Sequence, residues 1–385
     1  MILFFIISIF VTGLIYSVLL VYCIIGWKRL HEFNAPGILI SNHTFSIIIP
    51  ARNEEENIQK CLLDIIHQNY IKANFEIILV DDFSEDETVN RVEELKKKYP
   101  DYNIHIIQLE KMLEARKYNS YKKLAIEQGV LKSSFEWIIT TDADCSRGEN
   151  WLQTISSFID EHKEAKLISA PVCFTFSNTF FQKAQALEFS GLIGIGAACI
   201  AQKSPTMCNG ANLIYRKDLF YELGGFKGND NLASGDDEFL MHKIAEKYPA
   251  DIYFLKSKAA IVRTPAISNI YAFMQQRKRW VSKSRFYNNF KLTGLLAAVY
   301  LFYLLTLLSI FAGFYDARFF IILTLGLVLK CMPEFIFLYK ISAFFNQQKL
   351  LKYYLPTLFF QTVYVVIIGI YGNFGKYNWK GRKVK

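Results

Sequence analysis

No two of the seven cysteines stand in a Cys-x-x-Cys pair, and the six histidines show no metal-ligand spacing. A zinc module and a disulfide framework are therefore excluded. Cys23, Cys61, Cys145, Cys173, Cys199, Cys208 and Cys331 read instead as reduced thiols of a cytosol-facing domain and the membrane. The chain also lacks an Arg-rich recognition helix, an aromatic RNA-binding signature and zinc-finger spacing. Its formal net charge of +9 thus does not read as nucleic-acid binding. It suits a protein lying against an anionic inner leaflet, or one that handles anionic substrates.

Charge is missing altogether from residues 1–27, and Lys28-Arg29 follow directly. Such a run is long enough to cross a bilayer of about 30 Å. The basic n-region of a signal peptide is absent and the charges sit at the wrong end, so the segment reads as an anchor. The positive-inside rule puts its N-terminus outside and the following domain in the cytosol. A hydrophobic content of 52% and aromatics at 16% point the same way, toward lipid contact.

From residue 44 to about 265 the pattern alternates as in an α/β domain. Apolar strands are expected at Ser46–Ile49, Glu76–Val80, Ile104–Ile107 and Trp137–Thr140, and helices at Glu54–Gln68 and Thr88–Lys98. Buried strands joined by helices imply a mainly parallel sheet, whose ligands bind beyond the carboxyl ends of the strands. Residues 184–201 are apolar and Gly-rich, with Glu188 inside, and read as a buried or interfacial helix. Residues 266–290 form an interfacial basic segment, and 291–375 hold two or three membrane helices. Residues 376–385 are a basic tail. Within the apolar run 319–339, Lys330 and Glu334 stand four apart and face one side of a helix, where they can pair. Topology stays open: three C-terminal crossings would leave the basic tail outside, against the positive-inside rule.

Three acidic clusters carry the chemistry: Asp81-Asp82, Asp142-Ala143-Asp144 and Asp236-Asp237. A carboxylate is costly to hold in a folded interior unless a cation or strong donor meets it. Acid pairs at strand ends therefore ask for a partner. A metal-chelated nucleotide diphosphate, with a base for an attacking hydroxyl, supplies one. The plainer readings also stand: Asp82 and Ser84 as turn or helix caps, Asp237 as the N-cap of a helix running to Lys247, and Lys122 as a solvated helix lysine. Asp142 and Asp144, alternating on an extended end, would project to opposite sides.

Ser46-Ile47-Ile48-Ile49-Pro50-Ala51-Arg52-Asn53-Glu54-Glu55, then Val80-Asp81-Asp82-Phe83-Ser84-Glu85-Asp86-Glu87-Thr88, resembles the opening of the family 2 glycosyltransferases. Lys122 to Gly129 resembles that family's Gly-Lys-x-x-Ala-Leu-x-x-Gly, with Tyr121 in place of the leading glycine. Thr141-Asp142-Ala143-Asp144 resembles its D-x-D element. Gly235-Asp236-Asp237-Glu238-Phe239-Leu240 resembles its Gly-Glu-Asp-x-x-Leu. Gln276-Arg277-Lys278-Arg279-Trp280 matches Gln-x-x-Arg-Trp, the mark of membrane-embedded members such as cellulose, chitin and hyaluronan synthases and ceramide glucosyltransferases.

The resemblance implies a GT-A, Rossmann-like α/β fold that binds a nucleotide sugar, with transmembrane helices on both sides. It implies an inverting transfer from a nucleotide sugar, UDP-linked by preference, to a lipid or lipid-linked glycan at a bacterial inner membrane. Ala51, Glu54, Asp81, Asp82, Lys122, Gln276, Arg279 and Trp280 would hold the donor. Asp142 and Asp144 would hold Mg²⁺ or Mn²⁺, and Asp237 would be the base. A processive polysaccharide synthase, or an inactive sugar-nucleotide-binding scaffold, are the alternatives.

Overall fold

Runs of β-branched and aromatic residues three to seven long, each too short for a helix, build a central sheet. The computed structural model describes residues 2–36, 43–112, 120–229, 232, 234–287, 289–372, 377–380 and 382–384. Along the chain the helices and strands run α1 (Ile2–Arg29), β1 (Phe45–Ala51), α2 (Ile58–Ile66), β2 (Phe75–Asp81), α3 (Thr88–Lys98), β3 (Ile104–Gln108), α4 (Leu109–Met112), α5 (Tyr121–Lys132), β4 (Trp137–Thr140), α6 (Trp151–Glu161), β5 (Leu167–Ser169), β6 (Val172–Thr175) and α7 (Phe180–Ala201). They continue with β7 (Leu213–Arg216), α8 (Lys217–Glu222), α9 (Asp236–Lys247), β8 (Ile252–Phe254), β9 (Val262–Pro265), α10 (Ile270–Ser282), α11 (Phe290–Gly313), α12 (Arg318–Phe344), α13 (Tyr354–Tyr371), β10 (Tyr377–Trp379) and β11 (Arg382–Val384).

Two compact units result. The α/β unit, which carries Asp81, Asp142 and Asp237, comprises residues 29–175, 195–265 and 380–385. Its seven strands lie in the order β3-β2-β1-β4-β7-β5-β8. β1 to β4 are mutually parallel where they pair, as the alternating pattern requires. β7 inserts antiparallel between β4 and β5, so the sheet is mixed. Ile47, Ile48, Ile77, Ile78, Leu79, Ile138 and Ile139 are fully buried, each stabilising the fold by about 1.5–3 kcal/mol. α5 crosses β1 so closely that a Cβ at Gly129 would stand 2.5 Å from Ile48 Cγ2. α2 begins at Ile58, later than the expected Glu54, which leaves residues 54–57 as a turn at the end of β1.

The second unit comprises residues 1–28, 176–194 and 266–379. Among the described residues, α1, α7, α11, α12 and a helix ending at Tyr371 are long and apolar enough to cross a membrane. α12 runs unbroken through Pro333. Proline has no N–H to give the carbonyl four residues back, and that carbonyl, of Leu329, instead accepts from Ser17 Oγ of α1 at 2.5 Å. The anticipated Lys330–Glu334 pair forms at 2.5 Å and is buried. Tyr16 and Tyr354 each donate to Glu334, at 3.0 and 2.8 Å.

Candidate active site

The site grows from the carboxyl ends of β1, β2 and β4. Register pairs Ala51 with Asp81, and the Asp82 N–H donates to the Ala51 carbonyl at 2.8 Å. Both strands then turn sharply through residues in the left-handed region, Asn53 (φ 50) and Phe83 (φ 54). Arg52 ties the two turns together. Its guanidinium donates to the Asp82 carbonyl at 2.9 Å and to the Phe83 carbonyl, and pairs with Glu85 at 3.0 Å. The Glu54 N–H donates to Thr88 Oγ1 at 2.7 Å, and Glu54 Oε2 accepts from Asn57 at 2.9 Å.

The two acids of the first cluster differ in use. Asp81 accepts from the Ser84 N–H at 3.3 Å on both oxygens, so it closes the turn. Asp86 accepts from the Thr88 N–H at 3.0 Å, so it serves the start of α3. The capping role that the sequence allowed for Asp82 thus falls to its neighbours. Asp82 is buried; its Oδ1 pairs with Arg382 at 2.6 Å, and its Oδ2 is buried without a hydrogen-bond partner. Burial raises the pKa of both Asp81 and Asp82. A buried acceptor with an open oxygen suits a ligand N–H or hydroxyl.

Past β4, Asp142 and Asp144 converge and do not point to opposite sides; residues two apart on an extended end share a face, so the expected divergence was misdrawn. Residues 143–144 form a turn, and one carboxylate oxygen of each aspartate and Cys145 Sγ lie within 4.8 Å of one another. Burial, with repulsion from Asp142 and Glu54, raises Asp144 to about 6. Burial, then Asp144 and Asp142, also raises the Cys145 thiol well above its ordinary range. Lys122, on α5, donates to Asp142 Oδ1 at 2.8 Å and lies 3.4 Å from Asp236 Oδ2. Burial alone would lower the Lys122 pKa; Asp142 and Asp236 outweigh it and raise it.

Asp236 and Asp237 open α9, but neither is its N-cap. Gly235 is, in the left-handed region at φ 82, which explains a glycine there. Asp237, half-buried, accepts from the Gly210 N–H at 3.0 Å, while Asp236 is buried beside Lys122. A Cβ on Gly210 would stand 3.2 Å from Asp236 Oδ2. β4, η-turn 210–212, α5 and α9 thus bring Lys122, Asp142, Asp144, Asp236 and Asp237 into one cluster.

Gln276, Arg279 and Trp280 lie on α10, in the second unit. There the buried cation is Arg277, 2.8 Å from Glu188 and 4.3 Å over the Trp280 ring. No site role was read from the sequence for Arg277, Arg52, Cys145, Lys380 or Arg382. Only Arg52 carried a local signal, its place between Pro50 and Glu54.

Residues 137–371, more than half of the chain, match the model of Glycosyl transferase family group 2, and residues 46–224 match Glycosyl transferase family 2. The chain is a family 2 glycosyltransferase. It is 30% identical over 192 residues to glycosyltransferase AglE of Haloferax volcanii, an alignment covering 50% of this chain and 58% of that one. It is 32% identical to the dolichyl-phosphate beta-glucosyltransferase of Dictyostelium discoideum, over 27% of this chain and 32% of that one. The chain therefore spans less than two thirds of these relatives. The solved mannosyltransferase PcManGT from Pyrobaculum calidifontis, in complex with GDP-Man and Mn²⁺, superposes with a TM-score of 0.55 at 15% identity, over 96% of this chain and 99% of that one. That likeness, with the mixed sheet, makes the fold the GT-A α/β fold expected from the sequence.

Proposed function

We propose that this family 2 glycosyltransferase is membrane-integrated and metal-dependent, and moves a sugar with inversion from a nucleotide sugar, UDP-linked by preference, to a lipid or lipid-linked glycan. The observation that carries the reading is the single cluster of Lys122, Asp142, Asp144, Asp236 and Asp237 at the carboxyl end of the sheet. The similarity to a dolichyl-phosphate beta-glucosyltransferase supports a lipid-linked acceptor.

Asp142 and Asp144 offer converging carboxylate oxygens beside a neutral thiol. This set fits Mg²⁺ or Mn²⁺, which take hard oxygen ligands, and not a thiolate metal. When bound, the ion would supply charge to offset the departing diphosphate. Asp82 Oδ2 and Glu54 would receive the nucleoside's donors, with Ala51 and Asp81 shaping the floor. Lys122 would neutralise the diphosphate from the α5 side. Asp237, less buried than Asp236, would take the proton of the acceptor hydroxyl. Gln276, Arg279 and Trp280 would complete the donor and sugar contacts, Arg279 by a bidentate fork to phosphate.

Connectivity supports a consistent membrane topology. The chain leaves the α/β, catalytic unit after Pro265 and re-enters it at Lys380. Between those points a bilayer is crossed an even number of times, so the tail shares the side of the catalytic unit and the positive-inside rule is met. The same reasoning applied to residues 176–194, flanked on both sides by catalytic-unit residues, makes α7 a helix that does not cross.

The test is release of nucleoside diphosphate from a panel of nucleotide sugars by detergent-purified protein, with Mg²⁺ or Mn²⁺ and lipid extract, beside Asp237→Asn. Metal-dependent release from one donor, lost in the variant, is expected. Release from no donor under any condition would overturn the reading.

A further inference from the structure

The catalytic unit binds an anionic donor, on the reading above, in a cleft that is itself acidic. Glu54, Glu55, Glu56, Glu85 and Asp86, on the turns that follow β1 and β2, line a cavity of about 400 Å³, and Asp81 and Asp82 lead into the second of these turns. The nearby cations have other work. Arg52 is held by Glu85 and by the carbonyls of Asp82 and Phe83. Lys122 is held by Asp142 and Asp236. The charges that reach Glu54 and Asp82 come from the far end of the chain.

Arg382 Nη1 donates to Asp82 Oδ1 at 2.6 Å and Nη2 to the Asp82 carbonyl at 3.3 Å. Its guanidinium lies flat over Tyr121, 3.9 Å from the ring centroid, and 5.3 Å from that of Phe83. Phe83 and Tyr121 meet edge to face at 5.9 Å. Lys380 sits in the left-handed region (φ 43). Its Nζ donates to Glu54 Oε1 and, at 2.9 Å, to the Arg52 carbonyl, and Arg52 Nε donates back to the Lys380 carbonyl at 3.2 Å. The tail leaves Asp82 Oδ2 open, buried and without a partner. So the ion pair neutralises and orients the carboxylate while leaving one acceptor for a ligand.

We propose that Lys380 and Arg382 are a built part of the donor nucleotide site: Arg382 positions Asp82 for the nucleoside, and the two cations together make an acidic cleft receptive to a nucleoside diphosphate. The inference rests on the donor reading of this site. A guanidinium over an aromatic ring, with one N–H on the Asp82 carboxylate and another on the Asp82 carbonyl, is a geometry lysine does not reproduce. A partner 300 residues away in sequence is also the wrong design for a solvated tail, which needs no such contact.

The test uses full-length protein with UDP and GDP as probes, comparing wild type, Arg382→Ala, Arg382→Lys, Lys380→Ala and a chain ending after Trp379. Arg382→Ala is expected to weaken binding of the preferred nucleoside diphosphate about tenfold or more, with Arg382→Lys recovering only part. Metal affinity should stay near wild type; loss of the partner of buried Asp82 lowers the thermal midpoint, and titration well below that midpoint separates the binding loss from unfolding. Uridine or guanosine, which carry no phosphate, should lose affinity in Arg382→Ala, because Asp82 is then mispositioned, and lose less in Lys380→Ala. Unchanged affinity in Arg382→Ala and in the truncated chain would overturn the inference and leave the donor reading standing. Tighter binding would overturn it too and make the tail a competitor of the nucleotide. Failure of the wild type to bind either diphosphate would take down the donor reading and this inference together.

Discussion

Lys122 Nζ stands 2.8 Å from Asp142 Oδ1 and 3.4 Å from Asp236 Oδ2. One ammonium thus links the first acid of the D-x-D turn to the acid beside the proposed base. Lys122→Ala removes a cation from the diphosphate's surroundings and a like charge from the metal's. Turnover should fall by about 10²–10³-fold, while Mn²⁺ binding stays equal or tightens. Parallel Mn²⁺ titration and steady-state kinetics check this; weakened metal binding would contradict it.

Metal affinity should depend on pH through Asp144. Its pKa is raised from 3.8 to about 6, so in the metal-free protein it favours the folded state fully below about pH 4. That contribution is lost as pH rises through 6. A divalent ion needs the deprotonated carboxylate. Apparent Mn²⁺ affinity should therefore drop about tenfold per unit below pH 6 and level off above it. Thermal protection by Mn²⁺ should be small at pH 5 and larger at pH 7.5. Calorimetric titration at three pH values reads the first effect and melting curves the second.

Two glycines should separate activity from stability. A Cβ at Gly210 meets Asp236 Oδ2 at 3.2 Å and Asp237 Cβ at 3.5 Å. Gly210→Ala should therefore lower kcat by about tenfold to a hundredfold with little change in donor KM. A Cβ at Gly129 meets Ile48 Cγ2 at 2.5 Å. Gly129→Ala should cost about 1–3 kcal/mol of stability, and the protein that remains folded should keep its specific activity.

In the second unit, Lys330→Met leaves Glu334 buried without its 2.5 Å ammonium partner. By analogy with soluble proteins the loss is about 3–5 kcal/mol, and the double change Lys330→Met/Glu334→Leu should recover most of it. Melting in detergent measures both. A double variant no more stable than the single one would mean that the tyrosines on Glu334 matter more than the pair.

A C-terminal tag should lie on the face that carries the catalytic unit. Protease applied to sealed, inside-out vesicles should remove the tag and cleave the catalytic unit together. A protected tag beside a cleaved catalytic unit would refute the even number of crossings.

Much of this was legible in the sequence, for a physical reason. β1, β2 and β4 are short apolar runs buried on both faces, and such runs declare themselves without any partner. Acids at their ends mark the ligand side of a parallel sheet. β7 was not foreseen, because Leu213–Arg216 carries no direction signal and became antiparallel only through its neighbours. The divergence expected of Asp142 and Asp144 was a misreading of the strand period, since residues two apart share a face; the two carboxylates converge. Asp237 was a candidate N-cap until Gly235, with its left-handed backbone, took the position. Arg382 could not be placed at all: its partner, Asp82, is a matter of tertiary fold, and no periodicity spans that distance.

Ser17 and Pro333 set an order of assembly. The Ser17 hydroxyl has its acceptor in a carbonyl 312 residues downstream, on a segment that the ribosome makes long after α1 has emerged. Until then Ser17, and Tyr16 beside it, wait in α1 without their α12 partners. When α12 arrives, its proline supplies the open carbonyl and Glu334 the second acceptor. A helix made well before α12 is therefore locked only once α12 follows, and a chain released before Pro333 lacks both of these partners for α1.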